Sequence, residues 1–222
     1  DDMAATDPDW WIDSFFDVFV ANVPPLVDAG TDQTVDEGSL VSLAPATFTD
    51  AGTADTHTAT IDWGDGSPVE SGTVTEPSGS DPGTVSGSHV YADDGVYTVT
   101  VTVTDDDGAF DTDTLTVTVQ NVAPVVDAGP DRNINEGDTL LLAPATFTDP
   151  GTADTHTATI DWGDGSPVEE GTVTEPSGGN PGTVSGSHVY ADDGTYHVTV
   201  HVQDDDMAAT DPDWWIDSFF DV

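Results

Sequence analysis

Carboxylate side chains recur in short runs along this chain, with an asparagine amide nearby. The runs Asp105–Asp107 and Asp204–Asp206 each hold three consecutive aspartates. Carboxylate and amide oxygens are the ligands that Ca²⁺ prefers, six to eight at a time, whereas Mg²⁺ prefers near-octahedral sites and keeps its own waters. Because unneutralised carboxylates repel one another at close range, the runs predict bound calcium wherever folding brings several of them together.

The whole chain is strongly acidic, with 44 acidic residues against a single basic one, Arg132, and a net charge of −43. This charge repels nucleic acid and anionic lipid, so we expect neither as a partner. It also destabilises the folded state by self-repulsion, which divalent cations or high salt would offset. No apolar run approaches the roughly 18 residues of a membrane span, so we expect no membrane insertion. The acidity and the lack of lysine and cysteine favour an extracellular or cell-surface location.

Two nested repeats organise the chain. Residues 1–18 and 205–222 are identical, and residues 44–70 recur at 143–169 with one change. A tandem repeat is the signature of an array of like modules, which is typical of fibres and stalks. The predicted units are the closing strand and linker of a preceding repeat (residues 1–23), module 1 (24–122), and module 2 with a truncated last strand (123–222).

Alternating apolar and polar residues predict strands throughout, and no segment has the period of a helix. Residues 96–105 read VYTVTVTVTD, in which Tyr97 and the valines that follow it share one face. Turn sequences rich in Gly, Pro, Asp and Ser separate about seven such strands in each repeat of 99 residues. This pattern predicts an antiparallel β-sandwich.

Two motifs resemble the PKD domain, an Ig-like module: the turn sequence IDWGDGSP, and an acidic turn flanked by tyrosines. Ile61 stands where the family usually has Trp, and Trp63 stands where it has Phe, so one large aromatic residue is kept. The resemblance covers both modules and implies an all-β fold of two tandem Ig-like, PKD-type antiparallel β-sandwiches in an extended head-to-tail array. The matching stretches are Asp62–Gly66, Asp161–Gly165, Tyr91–Tyr97 and Tyr190–Tyr196.

Ig-like topology brings the entering chain, the B–C loop and the F–G turn to one end of a module, which gathers three polar segments. Some PKD domains bind calcium there, so the resemblance also favours a calcium site; a solvated acidic loop without an ion is the alternative. Asp93 and Asp94, in the turn at the opposite end, are placed to face the next module's cluster. The candidate calcium ligands are Asn22, Asp50, Asp55, Asp105, Asp106 and Asp107 in module 1, and Asn121, Asp149, Asp154, Asp204, Asp205 and Asp206 in module 2.

Other chemistry finds little support in the sequence. Asp62 and Asp65 flank Trp63 and are conceivable as a catalytic pair, but WGDG is typical of a tight structural turn. His197 and His201, four apart on one strand, would stand about 13 Å apart, too far to share one ion. No nucleophile–base set, phosphate-binding loop or zinc spacing is present, so we predict that the protein is not an enzyme.

Aromatic and threonine residues supply two further hypotheses. The pair Trp10-Trp11, copied as Trp214-Trp215, is interpreted either as packing or as an adhesive patch for a neighbouring filament or a polysaccharide. Threonines on the outward face of one strand are candidate O-glycan sites, although threonine also has good β-propensity. These threonines are Thr98, Thr100 and Thr102.

The two ends of the chain share one strand-forming segment. Joined to the acidic turn at 204–206, residues 1–25 align with the last hairpin of module 1. The copy at 205–222 lacks the residues FVANVPP that follow the N-terminal copy. Two interpretations are open: the chain continues beyond Val222, or the start of one copy completes the end of another by strand addition. Either arrangement predicts a non-closing, head-to-tail assembly.

These observations predict a structural repeat unit of an extracellular calcium-stabilised fibre, stalk or adhesin, with other copies of itself as partners, head to tail. Calcium (Ca²⁺) would clamp the module joints and neutralise the acids. The alternative is a carbohydrate- or partner-binding accessory module of a secreted protein, in which the Trp-Trp segment would contact a polysaccharide.

Overall fold

The computed structural model describes residues 16–206 and 216–221, and this part of the chain contains no helix. Its strands fall into two groups, one for each repeat. Module 1 contains β1 (Leu26–Asp28), β2 (Gln33–Asp36), β3 (Leu40–Thr49), β4 (His57–Asp62), β5 (Glu70–Thr75), β6 (Gly83–Val90), β7 (Gly95–Asp105) and β8 (Phe110–Gln120). Module 2 contains β9 (Val125–Asp127), β10 (Thr139–Thr148), β11 (His156–Asp161), β12 (Glu169–Thr174), β13 (Gly182–Val189), β14 (His197–Asp204) and β15 (Ile216–Asp221).

Each module forms a sandwich whose two sheets are joined by one strand. In module 1 the order of paired strands is β1-β3-β6-β5-β4-β7-β8-β2. The first half of β5 pairs with β4 and its second half pairs with β6, so β5 passes from one sheet to the other. All pairs in module 1 are antiparallel except β2 with β8, which is parallel. The all-β fold predicted from the alternating pattern is confirmed.

The core lies between the sheets and is built from the predicted apolar faces. In β7, Val99, Val101 and Val103 are fully buried, whereas the threonines between them are only half-buried. They pack in one cluster with residues of the opposite sheet such as Phe48 and Val85. Module 2 repeats this arrangement in a second, separate cluster. The strict alternation of β7 therefore sets which face of the sheet is covered.

The tryptophan of the WGDG turn is the largest buried side chain of each module. Trp63 is 1% exposed, and its indole Nε1 donates a hydrogen bond to Glu70 Oε2 at 3.2 Å. The ring of His89 stacks on it with centroids 5.1 Å apart, and the hydroxyl of Tyr91 donates to the Trp63 carbonyl oxygen. The turn is therefore held by Glu70, His89 and Tyr91, of which Tyr91 belongs to the second family motif.

The two modules are in direct contact. The backbone N–H of Ala153 in module 2 donates to the carbonyl oxygen of Ala92 in module 1 at 3.0 Å. Gly38 lies against Pro150: its φ is +68°, and a Cβ built on it would stand 2.8 Å from Pro150. A side chain at residue 38 would thus meet both backbone strain and the neighbouring module, so glycine suits the joint.

Candidate functional site

The end of a module where the chain enters, here called the proximal end, gathers the predicted acidic segments. Oxygen atoms of Asp50, Asp55 and Asp105 lie within 4.8 Å of one another in module 1, and these three residues are the proximal cluster. Asn22 belongs to the same region because its side-chain amide donates a 2.8 Å hydrogen bond to Asp105. That bond is the main cause that lowers the pKa of Asp105, whereas burial, with the charge of Asp50 next, raises the pKa of Asp55.

Turn hydrogen bonds hold the acidic loops in position. Asp50 accepts from the N–H of Gly52 at 2.6 Å, and Asp106 accepts from the N–H of Thr56 at 3.1 Å. A Cβ on Gly52 would overlap the carboxylate of Asp55, which explains glycine at this point of the loop. Module 2 repeats these contacts with residues 99 positions later. The carboxylates are thus directed by the backbone of the loops.

A second set of carboxylates forms where the opposite, distal end of module 1 meets the proximal end of module 2. We call it the joint cluster. It consists of two overlapping groups that share Asp154, and in each group one ligand oxygen per residue lies within 4.8 Å of the others. The groups are Glu37 with Asp149 and Asp154, and Asp93 with Asp154 and Asp206. Because Glu37 and Asp93 come from module 1, neither module forms the joint cluster alone.

Three carboxylate oxygens of the joint cluster are buried without a hydrogen-bond partner. Glu37 is 1% exposed; its Oε1 accepts from the N–H of Val122 at 2.7 Å, but its Oε2 has no partner. Asp154 is 9% exposed, and neither of its carboxylate oxygens has a partner. Leaving buried polar atoms unsatisfied costs about 1–3 kcal/mol each, and more when they are charged. A cation would satisfy all three.

The crowding of carboxylates has a clear electrostatic effect. Burial, and then the charges of Asp149 and Asp94, raise the pKa of Glu37 to about 7. Burial, and then Glu37 and Asp149, raise the pKa of Asp154 to about 7. Burial, with Asp94 and Asp93 next, raises the pKa of Asp206 to about 6. Near neutral pH these three carboxyl groups therefore tend to keep their protons. A cation bound among them would favour their charged forms instead.

The distal end of module 2 offers a matched comparison. Glu136, Asp192 and Asp193 are equivalent to Glu37, Asp93 and Asp94 and bring their oxygens within 4.8 Å of one another; they are the distal cluster. All three are exposed, whereas Glu37 is buried and Asp93 and Asp94 are half-buried. The contact with the neighbouring module, and not the local sequence, therefore buries Glu37.

A buried histidine lies beside each proximal end. In module 2, Nε2 of His156 is 3.2 Å from Asp149 Oδ2, and Nδ1 is 2.7 Å from Glu175 Oε2. His57 in module 1 makes the equivalent contacts with Asp50 and Glu76. Burial would lower the pKa of His156, but hydrogen bonds to Asp149 and Glu175 outweigh it and raise the pKa. The imidazole thus orients Asp149.

The carboxylates of the WGDG turn accept hydrogen bonds from backbone N–H groups of the same turn. Asp62 accepts from the N–H of Gly64 at 3.0 Å, and Asp65 accepts from the N–H of Ser67 at 3.0 Å. His89 Nε2 lies 2.7 Å from the other oxygen of Asp65. Burial would raise the pKa of Asp65, but the bonds from Ser67 and His89 lower it to about 2. This geometry is that of a structural turn, in which both carboxylates accept hydrogen bonds from the turn's own backbone.

The remaining predicted residues are placed as follows. Asn121 donates to Asp204 at 3.2 Å, as Asn22 does to Asp105, and Asp205 accepts from Thr155 at 2.7 Å. Among the proposed O-glycan threonines, Thr98 is exposed and Thr100 and Thr102 are half-buried. Asp107 is exposed in its turn. The aromatic residues lie outside the described part of the chain: Trp10, Trp11, Trp214 and Trp215.

Sequence reasoning missed Glu37. It occupies the turn sequence DEG, whose counterpart in module 2 is NEG, so the Glu-Gly pair recurs at residues 136–137. The recurrence of this pair was the one feature of the sequence that pointed to Glu37. A Glu-Gly turn is common at the surface, however, and does not by itself indicate a ligand.

The raised pKa values predict a pH dependence in calcium-free buffer. Because Glu37 and Asp154 have folded pKa values near 7, above their ordinary values of 4.5 and 3.8, protonation stabilises the fold. That stability is fully present below the ordinary values and is lost as the pH rises through about 7. We expect Tm in EGTA to fall by roughly 5–10 °C between pH 5 and pH 8, measured by differential scanning calorimetry. A Tm that rises over this interval would contradict the prediction.

Comparisons with known proteins agree with the architecture. The family model of the PKD domain matches residues 22–119 and 121–213. No curated protein matches the chain. Within residues 16–206 and 216–221, no helix is long and apolar enough to cross a lipid bilayer.

Three solved structures illustrate the structural likeness. Titin-A168169 is 12% identical over 90% of this chain and 97% of that chain, with a TM-score of 0.47. The Clostridium thermocellum CbhA fibronectin(III)-like modules are 15% identical over 89% and 92%, with a TM-score of 0.31. The human Desmocollin-1 ectodomain is 15% identical, with a TM-score of 0.33; the alignment spans 90% of this chain but 41% of that one.

The family model of the PKD domain matches both repeats of this chain. The chain therefore belongs to the PKD domain family and contains two consecutive domains.

Proposed function

We propose that this chain is a structural repeat unit of an extracellular calcium-stabilised fibre, stalk or adhesin that assembles head to tail. The observation that carries the proposal is the joint cluster, in which Glu37 and Asp154 bury unpartnered carboxylate oxygens between the modules. All its ligand atoms are oxygens, which favours Ca²⁺ over softer metals. The ion would be held by residues of both modules and would therefore fix one module against the other.

The composition supports the same function. With 44 acidic residues and one basic residue, the chain has almost no cationic side chains of its own to neutralise the acids. Calcium at the joints would offset part of that self-repulsion. The absence of lysine and cysteine is consistent with an extracellular location. A tandem module without a nucleophile–base set suits a mechanical, non-catalytic role.

Head-to-tail assembly is supported by the two ends of the pair. Asp50 and Asp55 of the proximal cluster are the counterparts of Asp149 and Asp154. Glu136 and Asp192 of the distal cluster are the counterparts of Glu37 and Asp93. A second copy placed with its proximal end on the distal cluster would repeat the joint between the modules. The polysaccharide-binding alternative depends on Trp10, Trp11, Trp214 and Trp215, about which the described residues give no support.

The deciding experiment is a thermal melt in 2 mM calcium, in EGTA, and in 2 mM magnesium at matched ionic strength. An ion bound only to the folded state stabilises it by about 2.7 kcal/mol at a hundred times its Kd. We therefore expect calcium to raise Tm by roughly 10–20 °C above the EGTA value, and magnesium to raise it by much less. No shift, or an equal shift with magnesium, would mean that the acids are a solvated surface and would overturn the proposal.

A further inference from the structure

The segment before module 1 has an unused strand-forming face. Residues 16–22 are described without a strand, and their side chains are exposed. Phe16 is 86% exposed, Val18 69% and Val20 88%, and these alternate residues would share one face of a strand. Such a row of exposed apolar side chains is costly in water and indicates a missing partner.

The same sequence forms a strand elsewhere in the chain. Residues 216–221, which are identical to residues 12–17, form β15 and pair with β14 in module 2. The segment therefore adopts a defined register when the edge of β14 is available. Among the described residues, no strand pairs with residues 16–22.

The register of β15 shows where residues beyond it would lie. His197 pairs with Asp221 in module 2, as Thr98 pairs with Thr116 in module 1. In that alignment the exposed Phe16, Val18 and Val20 correspond to Leu115, Val117 and Val119 of β8. These three β8 residues are between 0% and 3% exposed in the core. The exposed face of residues 16–22 thus has the spacing of the core face of a closing strand.

Module 2 has pairing positions that the described residues of β15 do not fill. In module 1, β7 begins at Gly95 and pairs with β8 through Val119, and β2 pairs with the last residues of β8. In module 2, β14 begins at His197, three positions later than β7 in the repeat, and the counterparts of β2, residues 132–135, form no strand. Among the described residues, no strand pairs with residues 194–196, which is where a longer closing strand would lie.

We propose that residues 16–21 of one copy pair along the β14 edge of a second copy, with Phe16 and Asp17 in the places of Phe220 and Asp221, and extend the pairing to Gly194 and residues 132–135. The inference rests on the proposed head-to-tail function and specifies its mechanism as strand exchange. Residues 18–21 would supply pairs that the described residues of β15 do not make. Phe16 and Asp17 are the same residue types as Phe220 and Asp221, so the exchange keeps those two pairs and adds new ones.

The linker geometry fits this exchange. Ala21 would take the place of Gln120, the last residue of β8, and Asn22 would take the place of Asn121. Asn22 already donates to Asp105 as Asn121 donates to Asp204. The incoming module 1 would therefore sit on module 2 as module 2 sits on module 1. Its proximal cluster would then meet the distal cluster and complete a second joint cluster between copies.

A disulfide across the predicted register tests the exchange, because the chain has no cysteine of its own. Val96 pairs with Thr118 in module 1, so Phe19 of one copy should lie opposite Thr195 of the next. Cross-strand neighbours have Cβ atoms about 4.5–5.5 Å apart, close to disulfide geometry. The double variant Phe19→Cys/Thr195→Cys, oxidised at high concentration in calcium, should give a ladder of covalent dimers, trimers and larger species on a non-reducing gel.

The matched control is Val20→Cys/Thr195→Cys, since residue 20 points to the opposite face of the strand. We expect at least roughly tenfold less covalent oligomer from it, because its sulfur atoms cannot reach bonding distance. Equal ladders from the two variants would reflect random collision and would overturn the proposal. So would the absence of a ladder from the first variant.

A cysteine-free measurement makes the test independent of disulfide chemistry. Val20→Asp places a charge at the position that corresponds to buried Val119, and it should abolish concentration-dependent growth in sedimentation velocity. Val69→Asp, at an exposed valine outside the segment, should assemble like the parent chain. Growth that persists in Val20→Asp would overturn strand exchange.

The experiments distinguish a failure of the calcium proposal from a failure of strand exchange. A calcium-specific rise in Tm without a ladder or growth would refute strand exchange and leave the calcium joint intact. A ladder that forms equally in EGTA, with no calcium effect on Tm, would support strand exchange and refute the calcium function.

Discussion

Replacing Glu37 with Gln and Asp154 with Asn together is expected to abolish most of the calcium-specific rise in Tm. Both residues bury carboxylate oxygens in the joint cluster, and both have pKa values raised to about 7 by burial and neighbouring charge. The amides keep the shape but remove two of the charges that attract the ion. The calcium-induced shift should fall from roughly 10–20 °C to below about 3 °C in differential scanning calorimetry.

The same double variant should be more stable than the parent chain in EGTA. Uncharged amides no longer repel Asp149 and Asp206, so Tm in EGTA at pH 8 should rise by roughly 5 °C. This opposite effect in the two buffers distinguishes a cation site from a simple packing defect. A variant destabilised equally in calcium and EGTA would show that Glu37 and Asp154 act through packing alone.

The repeat supplies a control with identical chemistry. Glu136→Gln/Asp55→Asn changes the equivalent residues at the two outer ends of the pair, where Glu136 is exposed and Asp55 half-buried. In dilute protein this variant should keep a calcium shift within about 3 °C of the parent value. Equal losses in the two double variants would mean that calcium acts on the acids generally and not at the joint.

The fold was accessible from the sequence because burial follows local periodicity. The alternation in residues 96–105 predicts a strand with one covered face, and β7 spans Gly95–Asp105 with its valines in the core. The two sheets of each module then follow from the number of such strands and the turns between them. The parallel pairing of β2 with β8 was not predicted, since β2 is short and only half-buried.

The candidate site was only partly accessible, for a physical reason. Asp50, Asp55 and Asp105 converge because the topology brings their loops to one end, which a sequence argument can follow. Glu37 is different, because its burial is created by a neighbouring module that local sequence does not describe. Its counterpart Glu136 lies in nearly the same turn sequence and is exposed. A residue that is buried only by contact between modules can therefore be identified from the structure but not from the local sequence.

Replacing Trp63 with Ala should produce the largest loss of stability in module 1. Trp63 is 1% exposed, stacks on His89, and accepts a hydrogen bond from Tyr91 at its carbonyl oxygen. Truncating a buried tryptophan costs about 3–5 kcal/mol, because it removes apolar burial and leaves a cavity. Trp63→Phe retains most of the ring contact but loses the bond to Glu70, so it should cost about half as much.

The same substitution also tests whether the joint depends on both modules. Module 1 of Trp63→Ala should unfold first in calorimetry, and with it Glu37 and Asp93 leave the joint cluster. Module 2, although unchanged in sequence, should then melt with at most about a quarter of its calcium shift, since its own Asp149, Asp154 and Asp206 lack their partners. The reciprocal variant Trp162→Ala should remove most of the calcium response of module 1. If module 2 kept its full shift after module 1 had unfolded, its three aspartates would bind calcium unaided, and the ion would not couple the modules.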